Sequence, residues 1–215
     1  MLYYFLTPLK ETFSALNLFE YITFRAAFAA ITALLISFII GPWVIHILQK
    51  NQIGEEIRLT GPESHMKKRG TPTMGGVIIL ISVLLPTLLF AKLNNPMIQI
   101  IIVATIWMGI FGFIDDYLKV IKKIEKGLIA RYKMAGQIIL GAIVSLWIFN
   151  TPEFAEFSTK TTVPFLKNVE IDLGLLYPLM VILVITGTSN AVNITDGLDG
   201  LAAGLLAICF TVFAA

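Results

Sequence analysis

Residues 97–123 read MIQIIIVATIWMGIFGFIDDYLKVIKK. The first eighteen, up to Ile114, carry no charge and are predominantly apolar. A run of about 18 such residues, coiled as a helix, is long enough to cross the hydrocarbon core of a bilayer. The other way to span a membrane is a closed β-barrel, which would alternate apolar and polar residues at every second position. This stretch does not alternate. It ends on two adjacent aspartates, Asp115 and Asp116, and a lysine-rich tail. One segment therefore sets the fold class and marks where chemistry is to be sought.

Five further apolar blocks flank it, at about 22–48, 74–91, 134–149, 175–191 and 200–215. Together they predict an all-α, polytopic transmembrane helix bundle forming a single membrane domain over 1–215. It should have about five complete spans and a sixth cut short at Ala215. The block at 134–149 is short and is expected to borrow flanking residues. Because the last block ends without a polar flank, the chain is expected to be the N-terminal part of a longer protein. Composition agrees with the membrane class. Hydrophobic residues make up 57% and charged residues 14%, against about a quarter charged in soluble domains, and the mean hydropathy is +0.83. The N-terminus lacks the basic start, apolar core and small-residue cleavage site of a removable signal peptide. The single cysteine, Cys209, excludes an internal disulfide and is expected to serve packing.

Charge placement gives the orientation. Residues 49–73 carry Lys50, Arg58, Lys67, Lys68 and Arg69, and residues 115–133 carry Lys119, Lys122, Lys123, Lys126, Arg131 and Lys133. These are eleven of the sixteen basic residues. The intervening connections hold Lys92 in one, and Lys160 and Lys167 in the other. Both basic loops are thus expected in the cytoplasm, together with the loop around TDGLDG, and the N-terminus outside. Residues 150–174, with prolines and late alternation, are expected to form a small extracytoplasmic hairpin.

Three polar segments follow. In the first, carboxylates at membrane depth are costly and usually functional. If the helix continues, Lys119 lies one turn beyond Asp115 and Asp116, and Lys123 one turn beyond Lys119. Such a stripe suits a divalent cation with phosphate, carboxylates holding the metal and ammonium groups the phosphate oxygens. The blander reading is interfacial acids beside a positive-inside loop. In the second, GTSNAVNITDGLDGLAAG, the residues Asn190, Asn193, Asp196 and Asp199 recur every third position among Gly187, Gly197, Gly200 and Gly204. Glycines allow close backbone approach, and amides and carboxylates supply directional hydrogen bonds for a sugar or nucleobase. Against this, Asp196 or Asp199 could merely cap the following helix. The third, KKRGTPTMGG at 67–76, could hold phosphate through amides and hydroxyls. Alternatively, Thr73 is a helix N-cap and Pro72 a helix starter. No GxxxxGK[ST] loop is present. His46 and His65 are expected to be an interfacial and a solvated histidine, and Arg25 and Lys10 to sit near the outer headgroups.

ESHMKKRGTPTMGG, FGFIDDYLK, GLIARYK and NAVNITDGLDGLAAG, in order along the chain, resemble the signature segments of the bacterial phospho-N-acetylmuramoyl-pentapeptide transferase family. That family belongs to the polyprenyl-phosphate N-acetylhexosamine-1-phosphate transferases. The resemblance implies transfer of phospho-MurNAc-pentapeptide from UDP-MurNAc-pentapeptide to undecaprenyl phosphate, giving lipid I and UMP, with Mg2+ as cofactor. It implies an inner-membrane enzyme whose site faces the cytoplasm, with the bilayer as partner, a homodimer as one arrangement, and no nucleic acid. Carried over by position, Asp115 and Asp116 match the acidic pair, with magnesium binding and deprotonation of the lipid phosphate as its implied roles. Lys68, Thr73, Lys119, Lys123 and Lys133 match polar positions of the cleft. Asn190, Asn193 and the stretch Asp196, Gly197, Leu198 and Asp199 match the segment that holds the uridine end of the donor. Members of that family have about ten spans of bilayer length, a third essential aspartate and a histidine-rich motif. Those last motifs are expected beyond Ala215, leaving this chain with part of a site and no activity alone.

Other classes fit less well. A UDP-GlcNAc-using transferase of the same superfamily is the nearest rival. CDP-alcohol phosphotransferases need an arginine after DG and further spaced aspartates, which LDGLAAGLLA lacks. An intramembrane prenyltransferase needs two acidic motifs. A membrane transporter would carry charges near the midplane and broken helices there.

Overall fold

Asn95 and Pro96 start the central helix. The Asn95 side-chain oxygen accepts a hydrogen bond from Met97 N at 2.8 Å, and Pro96 takes the first helical position, where its missing N–H costs nothing. In the computed structural model, residues 1–50, 73–124, 127–156, 158–163, 165–167, 169–197 and 200–214 are described. The helices are α1 (Leu2–Leu6), α2 (Ile22–Lys50), α3 (Gly76–Phe90), α4 (Pro96–Val120), α5 (Ala130–Asn150), α6 (Tyr177–Thr195) and α7 (Leu201–Ala214). Each apolar block of the sequence becomes one of the six longer helices. The protein is thus an all-α polytopic membrane bundle apart, among the described residues, from one short β-hairpin. The block at 134–149 borrows flanking residues as expected, beginning at Ala130. Four stretches, Ile22–Lys50, Pro96–Val120, Ala130–Asn150 and Gly174–Thr195, are long and apolar enough to cross a membrane, while α3 and α7 are shorter apolar helices.

The chain divides into two units, residues 1–129 and 130–215. In the first, α2 and α3 run antiparallel, as the Phe28 and Phe90 rings show, 6.3 Å apart. A short α1 and two 3-10 turns (Thr7–Glu11 and Ser14–Glu20) precede α2. Arg25 fastens them. Its guanidinium donates to Phe19 O at 2.6 Å and Glu20 O at 2.9 Å and lies 4.9 Å from the Tyr3 ring centre. It is buried, and those carbonyls at the end of a 3-10 turn receive its donors. Lys10 is exposed and pairs with Glu20 at 2.6 Å. Along the α3–α4 contact, a Cβ on Gly109 would lie 2.7 Å from Leu80 Cδ1, so the glycine lets this leucine reach the α4 backbone.

In the second unit, α5 presents Gly136, Gln137, Leu140, Gly141, Val144 and Ser145 as its buried face. Small residues let helix backbones approach in lipid, where dispersion and hydrogen bonds replace the hydrophobic drive. Gly141 shows this directly, since a Cβ there would lie 2.8 Å from Ile182 Cα. The 150–174 connection forms the expected hairpin. β1 (Lys160–Thr162) pairs antiparallel with β2 (Glu170–Asp172), with Thr161 opposite Ile171. Asp172 Oδ1 accepts Gly174 N at 2.9 Å, and Gly174 takes φ +48°, which only glycine adopts cheaply. Cys209 is exposed on α7 rather than packed inside.

Five threonines along the helices satisfy themselves, whereas the Thr186 hydroxyl on α6 is buried without a partner among the described residues. Thr87, Thr105, Thr188, Thr195 and Thr211 each donate to the carbonyl four residues back, at 2.6–2.8 Å.

Candidate functional site

The central helix carries on past the apolar run to Val120, placing both aspartates in its last two turns. Consecutive helical residues point about 100° apart, so the two acids face different surroundings. Asp115 is buried. Its Oδ2 accepts Lys119 Nζ at 2.8 Å and its Oδ1 accepts Leu128 N at 2.8 Å, thirteen residues further on. Gly127 makes this reach possible. It has φ +56°, and a Cβ there would lie 2.5 Å from Asp115 Oδ1 and 2.7 Å from Lys119 Cε. Asp115 thereby ties the loop after α4 back onto the helix.

Asp116 lines a cleft of about 260 Å³ between α3 and α4, with Met74, Val77, Leu80, Gly112 and Phe113 among the walls. The cleft is apolar apart from this carboxylate, and Gly112 keeps its wall open, since no atom lies within 4 Å of a Cβ built there. At its edge, Met74 is buried with φ +72°, a backbone state that costs a non-glycine residue about 1–2 kcal/mol. Beside it, the Thr73 hydroxyl is buried and has no hydrogen-bond partner. Thr73 is not the helix cap. Gly75 holds that position, with no side-chain bond, and α3 begins at Gly76. A buried hydroxyl in this condition is the kind of group a ligand or water satisfies.

Lys123 departs from the expected stripe. The helix ends at Val120, and Lys123 lies beyond it with φ +54°. Wide bonds from Lys122 N to Tyr117 O and from Ile124 N to Leu118 O close the helix end instead. Helical spacing therefore relates Lys119 to Asp115 and Asp116 but does not extend to Lys123.

In the second unit, Lys133 lies in the first turn of α5, one turn before Gln137 on the same face. Gln137 is 7% exposed. Its Nε2 donates to Ser189 Oγ at 3.1 Å, and its Oε1 accepts Asn190 Nδ2 at 2.8 Å. Asn190 Nδ2 also donates to Thr186 O at 2.8 Å. Asn193 follows one turn later and is exposed. Asp196 is exposed at the C-terminal cap of α6, where its N–H donates to Val192 O. It ends α6 rather than starting the next helix. Gly197 follows directly, and Gly200 takes φ +80°. Lys68, Leu198, Asp199, His65 and Pro72 lie outside the described residues. His46 is exposed on α2. Gln137, Gly127 and Met74 were not among the sequence candidates. Only Gln137 left a signal, an amide in an otherwise apolar span.

Among the described residues, no three histidine, cysteine, aspartate or glutamate side chains come together as a metal site. Magnesium is commonly held by one or two carboxylates plus substrate phosphates. Asp116, beside open space, fits that mode.

These features define a multi-pass membrane protein with acids at the polar end of one span and amides at the end of another, and the chain belongs to glycosyl transferase family 4, whose model matches residues 98–215. Residues 68–80 match phospho-N-acetylmuramoyl-pentapeptide-transferase signature 1. The chain is 51% identical over 97% of its length to the phospho-N-acetylmuramoyl-pentapeptide-transferase of Citrifermentans bemidjiense, covering 57% of that protein. It is 50% identical over 97% of its length to the protein of the same name from Chlorobaculum parvum, again covering 57%. The one from Endomicrobium trichonymphae is 46% identical over the whole chain, which covers 60% of it. The chain thus spans somewhat over half the length of these curated relatives.

Proposed function

We propose that the protein containing this chain transfers phospho-N-acetylmuramoyl-pentapeptide from a UDP-linked donor to undecaprenyl phosphate at the cytoplasmic face of the inner membrane. The products are lipid I and UMP, and the step serves peptidoglycan synthesis. The observation that carries this reading is the pair of neighbouring acids in different settings. Asp115 is engaged by Lys119 and Leu128 N, and Asp116 lines an apolar cleft at the end of a membrane helix. About 50% identity to proteins bearing that activity's name supports the substrate class.

In the reaction, an oxygen of the lipid phosphate attacks the donor's β-phosphorus. A new P–O bond forms, the bond to UMP breaks, and UMP leaves with the electron pair. A phosphate monoester has its second pKa near about 6, so the attacking oxygen is already ionised at neutral pH and needs little help from a base. Asp116 would hold magnesium, which supplies charge neutralisation on the pyrophosphate when bound. Lys119, Lys123 and Lys133, with Lys68, offset the remaining negative charge. Asn190, Asn193 and the 196–199 stretch hold the nucleoside end of the donor.

The test uses full-length protein in membranes, supplied with polyprenyl phosphate and donor labelled in the sugar. Label entering the organic phase with matching UMP release is expected. Label entering only with UDP-GlcNAc would move the assignment to the GlcNAc-1-phosphate transferases, and no transfer from either donor would overturn it.

A further inference from the structure

We infer that Gln137 is a positioning residue that fixes the Asn190 side chain with its amide carbonyl turned outward as a hydrogen-bond acceptor for an N–H or O–H of the donor. This rests on the reading above, in which Asn190 meets the nucleoside end.

The Thr186 carbonyl sets the orientation of the Asn190 amide. That oxygen accepts only, and it lies 2.8 Å from the Asn190 amide. The near atom must therefore be Nδ2, because Oδ1 there would set two acceptors against each other. The same Nδ2 is 2.8 Å from Gln137, which must then present Oε1, leaving its Nε2 for Ser189 Oγ at 3.1 Å. Each amide end is thus dictated by its neighbour. Both Asn190 protons are committed, one to its own helix and one to α5. What remains is Oδ1, an acceptor that the described residues leave unused, on a half-buried side chain. Gln137 itself is buried and cannot touch a ligand freely. Its effect must pass through Asn190.

Two amides bridging helices could also be simple glue, since such bonds contribute to association in lipid. The two roles separate in kinetics. Glue predicts a loss of stability with donor affinity unchanged. Positioning predicts that losing the Gln137 acceptor lets the Asn190 amide rotate, weakening donor binding before chemistry. A uniform binding loss raises KM and leaves kcat alone.

In the full-length transferase, Gln137→Met, which keeps the length but removes both polar atoms, is expected to raise the donor KM by about 10-fold, the loss of one well-placed hydrogen bond. The polyprenyl-phosphate KM and kcat should stay close to the parent values. Asn190→Ala should give a similar rise, and the double variant should be no worse than Asn190→Ala alone. Gln137→Glu keeps an acceptor oxygen in place and should return the donor KM to near the parent value. Additive effects in the double variant, or a lowered melting temperature with unchanged donor KM in Gln137→Met, would overturn the inference. Should Gln137→Met not fold, Gln137→Glu decides: a donor KM as high as that of Asn190→Ala overturns it, and a parent-like KM supports it. The parent protein is the control for the reading beneath. If it releases no UMP, the transferase assignment fails; if it does and the variants are additive, only Gln137's role fails.

Discussion

Asp115 and Asp116 share a peptide bond but not a task. Asp115 accepts from Lys119 and from Leu128 N. The first contributes about 1 kcal/mol or less, because the lysine side chain is 45% exposed. The backbone bond to a carboxylate is the stronger, at about 1.5–3 kcal/mol. In full-length protein, Asp115→Ala should therefore lower the melting temperature in detergent and expose the 121–129 loop to protease, with activity lost through that disorder. Asp116→Asn should abolish UMP release while leaving the loop after α4 as protease-resistant as in the parent. Parent-like turnover in Asp116→Asn would remove this acid from the chemistry. The sequence showed that both acids stand at a span's polar end, because charge at that depth is readable from composition alone. It could not show that Asp115 holds the loop after α4. That depends on an N–H thirteen residues away, reached through a glycine at φ +56°, and no periodicity encodes such a contact. Lys123 was misplaced for the same reason: the helix ends three residues earlier than the pattern suggested.

Helices are the most legible level here. Every apolar block became a helix, because in lipid the backbone must bond within its own segment and length alone then decides. How the helices cross is less legible. Gly109 and Gly141 look alike in sequence, yet one faces the tip of Leu80 and the other the Ile182 backbone. A leucine tip can swing aside, and a backbone cannot. Gly109→Ala is expected to cost less than about 1 kcal/mol and Gly141→Ala about 1–3 kcal/mol, read as melting temperatures of the full-length protein. Equal losses at the two sites would contradict the close α5–α6 approach. The hairpin carries a pH dependence. The Thr159 hydroxyl and the Gly174 N–H bond Asp172 and hold its carboxyl below the usual range. A lowered folded pKa means stability that is present above the unfolded value of about 3.9 and lost as pH falls through the folded one. Protection of the Gly174 amide against hydrogen exchange should persist at pH 6 and collapse in strong acid. Protection unchanged below pH 3 would argue against the bond.

At the scale of the whole molecule, the distribution of lysine and arginine gives an orientation that side-chain labelling can check. In full-length protein whose native cysteines, Cys209 included, are replaced by serine, Lys122→Cys should react in intact cells only with membrane-permeant maleimides. Lys167→Cys should react with impermeant reagents too. The reverse pattern would turn the proposed site to the outside and exclude a cytoplasmic nucleotide donor. The N-terminal 3-10 turns and the Arg25 anchor were not legible, since short turns held by one guanidinium have no repeating signature.

The two ways in which this chain satisfies its intramembrane polar groups also bear on its biosynthesis. Five threonine hydroxyls on α3, α4, α6 and α7 bond their own helix, so these five arrive in lipid already partnered and place no demand on neighbours. Gln137 finds its partners on α6. An isolated α5 leaving the translocation channel would carry a bare amide into hydrocarbon, so the favourable course is for it to wait at the channel until α6 emerges and for the two to partition as a pair.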